Sequence, residues 1–289
     1  MRLDRAALDL ATIQFPELEA EPFLDRLNEL ASRLGDRLRN FNDGRDFIEK
    51  AQKYLFEDLG FHGNEADYFD PLNSCLNQVL ERRTGIPVSL SVLYMEVARR
   101  LAMPVYGIGL PRHFIVQFDD DNFAAYIDPF HGGRVVTPRE CLMLAGGGEP
   151  DSRVIPTMLP SMHPSMLPTM LPAMLPAMLP TMLPTMLRRV SKKEIVMRML
   201  RNLQRDYLAR KDWPRAVETL DFLILGTGTS DPELPAAHKL RGLLRMELHR
   251  YGGARTDLET YLKMSPQAAD REEIVKQVEA IHRRLARLN

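Results

Sequence analysis

The stretch "VSLSVLYMEVARRLAMPVYGIGLPRHFIVQFDDDNFAAYID", residues 88–128, decides the fold class because its hydrophobic period changes partway along. Residues 88–102 carry one apolar stripe at helical spacing, formed by Leu90, Leu93, Tyr94, Val97 and Leu101. Pro104 ends this helix. After it, "HFIVQF" and "FAAYID" alternate as strands do, and the acidic "DDDN" between them is typical of a hairpin loop. A helix that leads into a hairpin predicts an α+β domain.

The two faces of this hairpin predict how its strands pair. If Phe118 lies opposite Phe123, one face is wholly apolar and consists of Phe114, Val116, Phe118, Phe123, Ala125 and Ile127. The other face then places His113 opposite Asp128. Directly opposed residues have Cβ atoms about 4.5–5.5 Å apart, close enough for an imidazole–carboxylate hydrogen bond. The sequence therefore predicts a His113–Asp128 pair with a functional or formerly functional role.

Cys75 is the first candidate for a nucleophile beside that pair, because cysteine, histidine and aspartate together are typical of thiol hydrolases and acyl transferases. It lies near the start of the predicted helix "SCLNQVLERR", where a thiol pKa can fall. However, Leu76, Val79 and Leu80 form a plausible buried face with it, and free cysteine is usually a buried, small hydrophobic residue. We interpret Cys75 as an unlikely nucleophile, and Cys141 as a core residue.

Ser89 is the second candidate, because it lies at the start of the helix that leads directly into the His113 strand. A papain-type site places its nucleophile at the N-terminus of the helix that packs on the sheet carrying histidine and aspartate. A serine at such a position most often caps the helix, and its hydroxyl needs stronger base assistance than a thiol. We expect Ser89 to be an N-cap, while a Ser89–His113–Asp128 arrangement stays open as the alternative.

Composition excludes several classes of function. The 289 residues are enough for two domains, and 38 basic against 39 acidic side chains leave no electrostatic footprint for nucleic acid or an anionic membrane. Two cysteines cannot form a disulfide framework, and no Cys/His cluster suggests zinc. The N-terminal "MRLDRAALDLATIQF" lacks the apolar core of a signal peptide. We expect a soluble, cytoplasmic protein that has no cofactor or metal and binds neither nucleic acid nor membrane.

Residues 157–187 read "TMLPSMHPSMLPTMLPAMLPAMLPTMLPTML", a run of Met-Leu-Pro tetrapeptides long enough to cross a bilayer. A proline at every fourth position removes a backbone donor in each helical turn, and lipid offers the freed carbonyls no water. A transmembrane helix is therefore disfavoured, and residues 151–190 are predicted to be a low-complexity linker. An adaptable methionine-rich docking surface is the alternative.

The regions on either side of the core and linker have helical patterns. In residues 1–84, Leu24, Leu27, Leu30, Leu34 and Leu38 recur at helical spacing, and Pro22 suits the first turn of that helix. Residues 191–289 are predicted to be all-helical, with two tetratricopeptide-like pairs marked by Tyr207, Ala216, Leu220, Gly242, Ala254, Leu258 and Pro266. The predicted organisation is a core domain in residues 1–150, the linker, and a repeat domain in residues 191–289 that offers a groove for peptides.

Three runs, residues 67–105, "GLPRHFIVQF" and "YIDPFHGGR", together resemble the bacterial SirB family, and the helices "EIVMRMLRNLQRDYL" and "LRGLLRMELHRYGGARTDLETYL" resemble its C-terminal half. That family joins a transglutaminase-like domain to tetratricopeptide repeats. The resemblance implies a papain-like transglutaminase core in which His113 and Asp128 match the histidine and aspartate of the triad. The superfamily cysteine has no counterpart at the start of helix 88–102, and Arg112 replaces the small residue expected before the histidine.

Two functions follow from this resemblance. The first is a non-catalytic pseudoenzyme with a regulatory role, which binds a protein or peptide through the cleft and the repeats. The second is an active hydrolase or acyl transferase in which His113 is the general base, Asp128 orients it, and Ser89 or Cys75 attacks. Beside the cleft, a polar network of binding residues is predicted from Asn73, Asn77, Glu81, Arg82 and Arg83.

Overall fold

The N-terminal part of the chain is helical in the computed structural model, which describes residues 1–39, 43–146 and 187–286. Its three helices are α1 (Leu3–Ala11), α2 (Glu21–Arg37) and α3 (Gly44–Gln52), and α3 continues into a π-helical segment, Lys53–Asp58. In α2 the predicted apolar stripe is buried and Pro22 lies in the first turn, as expected. The N-terminal patterns therefore form a helical layer around the central helix described next.

The centre of the first unit is helix α5 (Pro87–Arg100), preceded by α4 (Leu76–Arg82). Alternating apolar and small residues bury nearly every side chain of α5, and the helix packs against the sheet as well as against α1, α2 and α4. The helix predicted over 88–102 is confirmed to within two residues at each end. Because α5 is buried on all sides, its first turn lies inside the protein.

The main sheet has four antiparallel strands in chain order: β3 (Val105–Leu110), β4 (His113–Asp119), β5 (Ala124–Asp128) and β6 (Arg134–Val136). A short parallel pair is formed by β1 (His62–Gly63) and β2 (Thr84–Gly85), of which β2 directly precedes α5. One face of β3 and β4 packs on α5. The α+β class and the antiparallel hairpin that were predicted from residues 88–128 are confirmed.

The register of the β4–β5 hairpin differs from the predicted one by two residues. Phe118 pairs with Ala125, not with Phe123, and Val116 pairs with Ile127. The turn causes the shift: Asp120 Oδ1 accepts the backbone N–H groups of Asn122 and Phe123, so the loop begins one residue later than predicted and Asp119 stays in the strand, paired with Ala124. A shift of two residues keeps each side chain on its predicted face, because side chains alternate with a period of two.

The chain returns to the first sheet after the Met-Leu-Pro tract. Helix α6 (Pro138–Gly146) packs on β3 and β6, and Leu187 shares a hydrophobic cluster with Cys141 and Ala145 of that helix. Arg189 then forms an antiparallel bridge with Ile108 of β3. The last residues of the predicted linker, 187–190, thus belong to the first unit, whereas residues 151–186 lie outside the described residues.

Five helices follow: α7 (Lys192–Ala209), α8 (Trp213–Gly226), α9 (Leu234–Glu247), α10 (Tyr251–Met264) and α11 (Arg271–Leu285). The chain divides into a unit of Met1–Val196 and a unit of Met197–Asn289. In the second unit each of the helices α8 to α11 packs on its neighbour in sequence. Gly242 lets α9 approach α10 closely, since a Cβ there would lie 2.8 Å from a methyl group of Leu258.

Candidate functional site

His113 and Asp128 meet at one end of the sheet. Nε2 of His113 lies 3.0 Å from each carboxylate oxygen of Asp128, and both side chains are buried. The contact forms although the register differs from the prediction, because a two-residue shift makes the residues diagonal neighbours on the same face. Diagonal neighbours remain within reach when one side chain is as long as histidine. Sequence reasoning therefore found the pair but not the geometry that joins it.

His131 is a third member of this cluster and was not predicted. Its Nδ1 lies 2.7 Å from Oδ2 of Asp128, while Asp128 Oδ1 accepts the backbone N–H of Phe130. The chain can turn back over Asp128 because Gly132 and Gly133 adopt φ values of +73° and +69°, which glycine tolerates best. The motif "DPFHGG" held the signal, namely a histidine three residues after the aspartate and two glycines behind it.

The electrostatics of the cluster centre on an ionised Asp128. Burial alone would raise the pKa of Asp128, but the hydrogen bonds from His113 and His131 outweigh it and hold that pKa well below its usual range. The hydrogen bond to Asp128 in turn raises the pKa of His131. An ionised carboxylate only accepts hydrogen bonds, so Nε2 of His113 and Nδ1 of His131 both carry protons that point at it.

Ser89 is fully buried, and its hydroxyl is occupied by backbone groups. Its Oγ donates to the carbonyl of Asn73 at 2.6 Å and accepts the N–H of Ile86 at 3.1 Å. The expected N-cap role is wrong in its position: Ile86 is the N-cap, Pro87 occupies the first turn, and Ser89 is the third residue of the helix. From there the hydroxyl reaches back to the N–H of the N-cap residue, as the N3 side chain of a capping box does.

Both thiols are core residues. Cys75 is 1% exposed, lies at the N-cap of α4, and directs Sγ toward the carbonyl of Pro71 at 3.6 Å. Burial raises the pKa of Cys75 to about 12 and that of Cys141 to about 12. A thiol with such a pKa is almost wholly protonated near neutral pH, which makes it a poor nucleophile.

The five polar residues expected beside the cleft are not joined in one network. Asn73 is buried and donates to the carbonyl of Asp67, and Asn77 is buried in α4. The others make separate contacts: Glu81 accepts from Gln78, Arg82 pairs with Asp70 at 2.8 Å, and Arg83 donates to the carbonyl of Leu59. Asn73 lies in the 3₁₀ turn before α4 and Arg83 follows the helix, so the five side chains make separate contacts although they are close in sequence.

A row of aromatic rings leads from the surface to His113. Phe69 is 56% exposed and contacts Tyr68 with 5.4 Å between ring centroids. Tyr68 contacts Phe130, and Phe130 lies edge-on to His113 at 6.0 Å. The loop that carries Tyr68 and Phe69 is held by Asn73, whose side chain accepts from Asn64 and donates to Asp67. Because Ser89 bonds to the carbonyl of the same Asn73, the start of α5 anchors this aromatic row.

The membrane question can be answered for the part of the chain that the structure describes. Among residues 1–39, 43–146 and 187–286, no helix combines the length and the apolar character needed to cross a bilayer.

Comparison with known proteins gives a family match for each of two regions of the chain and a relative that spans most of its length. Residues 21–167 match the transglutaminase-like superfamily, and residues 203–279 match the tetratricopeptide repeat. A UPF0162 protein of Xylella fastidiosa is 32% identical over 264 residues, which cover 90% of this chain and 83% of that protein.

Two further relatives match over shorter segments. A UPF0162 protein of Vibrio cholerae is 32% identical over 133 residues, covering 46% of this chain and 49% of its own length. Mouse F-box only protein 21 is 41% identical over 107 residues, which are 34% of this chain and 17% of that protein. No solved structure gave a significant match.

Proposed function

This chain belongs to the UPF0162 family of transglutaminase-like proteins with tetratricopeptide repeats, and from that premise we propose that it is a non-catalytic protein that binds a protein or peptide partner. The observation that carries the proposal is the state of the two candidate nucleophiles, Cys75 and Ser89, and of the second thiol, Cys141. Both thiols are buried with raised pKa values, and the Ser89 hydroxyl is bonded to backbone at the position where the superfamily cysteine would be.

The aromatic row supports a binding role for the same end of the first unit. Exposed aromatic side chains next to polar groups are typical of recognition surfaces, because rigid rings bury much area at little entropic cost. Phe69 provides the exposed ring, and His131, whose side chain is 36% exposed beside the buried His113–Asp128 pair, provides a polar end. A peptide whose apolar side chain packs on Phe69 and whose polar group reaches His131 would use both.

The repeats of the second unit support the same class of function, since tetratricopeptide repeats generally mediate protein–protein interaction. The finer assignment to the SirB family, and with it a regulatory role in the cytoplasm, rests on the motif runs around Cys75, His113 and Asp128.

The His113–Asp128 contact favours one alternative, an active hydrolase or acyl transferase. In that mechanism His113 would be the general base, Asp128 would fix its tautomer, and Ser89 or Cys75 would attack. The alternative requires the nucleophile to leave its present partners. For Ser89 this means breaking the bond to the Asn73 carbonyl, and for Cys75 it means exposing a buried thiol.

Covalent labelling separates the two functions. The full chain and His113→Ala are treated with a fluorophosphonate probe for serine and an iodoacetamide probe for cysteine. We expect no labelling of the native chain that depends on His113. Labelling of Ser89 or Cys75 that disappears in His113→Ala would refute the non-catalytic proposal.

Binding is tested with peptides selected from a displayed library on the full chain. Affinity is then measured by fluorescence anisotropy for the unaltered chain, for Phe69→Ala, and for Tyr106→Ala, a matched exposed aromatic residue on β3. We expect Phe69→Ala to weaken binding by about tenfold or more, as loss of an aromatic hot spot does, and Tyr106→Ala to leave it unchanged. Equal affinities for the two variants would contradict a binding site at the aromatic row.

A further inference from the structure

Three potential metal ligands converge at the end of β5. One ligand atom from each of His113, Asp128 and His131 can be chosen so that all three lie within 4.8 Å of one another. Two imidazoles and one carboxylate are an established kind of ligand set for zinc and other divalent transition metals. We propose that these three side chains bind one divalent transition-metal ion such as Zn²⁺.

The distances suit such an ion with small side-chain movements. In a tetrahedral zinc site with bonds of about 2.0–2.1 Å, neighbouring ligand atoms lie about 3.3 Å apart. Here Nε2 of His113 is 3.0 Å from an oxygen of Asp128, and Nδ1 of His131 is 2.7 Å from Oδ2. On binding, the ring nitrogen that faces the ion gives up its proton, which moves to the other ring nitrogen of a neutral imidazole or to solvent from an imidazolium, so each imidazole presents a lone pair to the ion.

The surroundings of Asp128 are those of an oriented ligand. Its Oδ1 accepts the backbone N–H groups of Phe130 at 3.1 Å and His131 at 3.4 Å, so the carboxylate is fixed and its other oxygen faces the histidines. Such outer hydrogen bonds hold the ligands of metal sites in place. The backbone of the Gly132–Gly133 turn adds a hydrogen bond from Gly133 N–H to the carbonyl of Asp128 at 2.9 Å, which holds His131 above the carboxylate.

The cluster also offers an entrance and an open position. His113 and Asp128 are buried, whereas the side chain of His131 is 36% exposed, so an ion could enter from the side of His131. Three protein ligands leave a fourth position of a tetrahedral ion for water or for a group of a bound partner. Neighbouring residues in sequence could not reveal this set, because His113 lies on β4 and the other two ligands lie at and beyond the end of β5.

The test uses the full chain without a histidine tag, stripped of metal by a chelator and then titrated with ZnCl₂ by isothermal calorimetry. We expect one Zn²⁺ per chain. His131→Phe keeps a ring against Phe130, which His131 contacts edge-on at 5.1 Å, but has no ligand atom. We expect this variant to bind Zn²⁺ at least about a hundredfold more weakly, since even outer-shell changes cost 10–100-fold.

His62→Gln is the matched control, because His62 is an exposed histidine of the same unit outside the cluster. It should bind Zn²⁺ as the unaltered chain does. Circular dichroism of metal-free His131→Phe checks that the variant is folded. As a second readout, Co²⁺ should give the visible absorption of a tetrahedral site in the unaltered chain and lose it in His131→Phe.

Stoichiometric binding that His131→Phe leaves unchanged, or the absence of saturable binding to the unaltered chain, would overturn the proposal. The measurements read the metal and not peptide affinity or probe labelling. Their failure would therefore leave the proposed binding function standing, and the failure of that function would leave the metal site standing.

Discussion

Replacing Ser89 by alanine distinguishes a structural hydroxyl from a catalytic one. The change removes the hydrogen bonds that Oγ makes with the carbonyl of Asn73 and the N–H of Ile86, both inside the protein. A buried polar group left without its partner costs about 1–3 kcal/mol. Two such groups give an expected loss of about 2–6 kcal/mol from the free energy of unfolding of the first unit.

Ser91 provides a matched control on the same helix. It is as fully buried as Ser89, but its Oγ has no hydrogen-bond partner among the described residues. Ser91→Ala removes a hydroxyl that is buried without compensation, so we expect it to change stability by less than about 1 kcal/mol or to stabilise the chain slightly. The difference between the two variants isolates the hydrogen bonds of Ser89 from the general cost of changing serine in α5.

The assay must report on the first unit. Tryptophan fluorescence cannot do so, because the single tryptophan, Trp213, lies in the second unit. Hydrogen exchange measured by mass spectrometry on peptides of α5 gives the opening free energy of that helix in each variant. If Ser89→Ala proves as stable as Ser91→Ala, the Ser89 hydroxyl is not held by the backbone as described. The case against a serine nucleophile would then lose its main support.

Three further predictions follow from the burial of thiols, a buried ion-pair cluster and the anchored ends of the tract. Burial raises the thiol pKa values of Cys75 and Cys141 to about 12, so both thiols are protonated at pH 8. A thiol reagent should therefore label them in denaturant but not in the folded chain at pH 8, and labelling of the folded chain should speed up as the pH approaches 12. Asp257→Asn removes a buried carboxylate of α10 that accepts from Arg241, Arg245 and His238 of α9. We expect it to cost the second unit about 3–5 kcal/mol in urea unfolding followed by tryptophan fluorescence. Glu259→Gln, at a half-buried position of α10 whose carboxylate lies 3.9 Å from Arg255, should cost less than about 1 kcal/mol, and equal losses would contradict the ion-pair explanation. Deleting residues 165–184 roughly halves the chain segment between α6 and Leu187, which should lower the entropic cost of joining its two ends by only about 0.6 kcal/mol. If the deletion instead lowers the opening free energy of α5 by several times that amount, the tract takes part in the fold.

The helices and strands that could be predicted from the sequence are those in which one hydrophobic period determines the type of secondary structure. The apolar stripe around Leu93 and the two-residue alternation of "HFIVQF" each have one structural solution, and both elements form as expected. The register of the hairpin depended on where the turn begins, and the alternation of apolar and polar residues does not determine that position. The carboxylate of Asp120 accepts two backbone N–H groups and so starts the loop one residue later, which moves the pairing by two residues while each side chain stays on its predicted face.

The site was predictable only where its members share a strand pair. His113 and Asp128 lie on adjacent strands, so the hairpin brought them together in either register. His131 depends on a turn with positive φ at two glycines, and the partner of Ser89 is the carbonyl of Asn73 in the separate 3₁₀ helix Pro71–Ser74. Contacts that reach backbone atoms across the fold leave no residue pattern, which is why the hydroxyl of Ser89 was placed on the right helix but at the wrong capping position.

The return of the chain to β3 has a consequence for how the gene can vary. Leu187 packs beside Cys141 and Ala145, and Arg189 pairs with Ile108, so the polypeptide leaves and rejoins one sheet. Each tetrapeptide of the intervening tract is a block of four codons, and its gain or loss by replication slippage preserves the reading frame. Copies can therefore be added or removed without changing the sequence at either anchoring point.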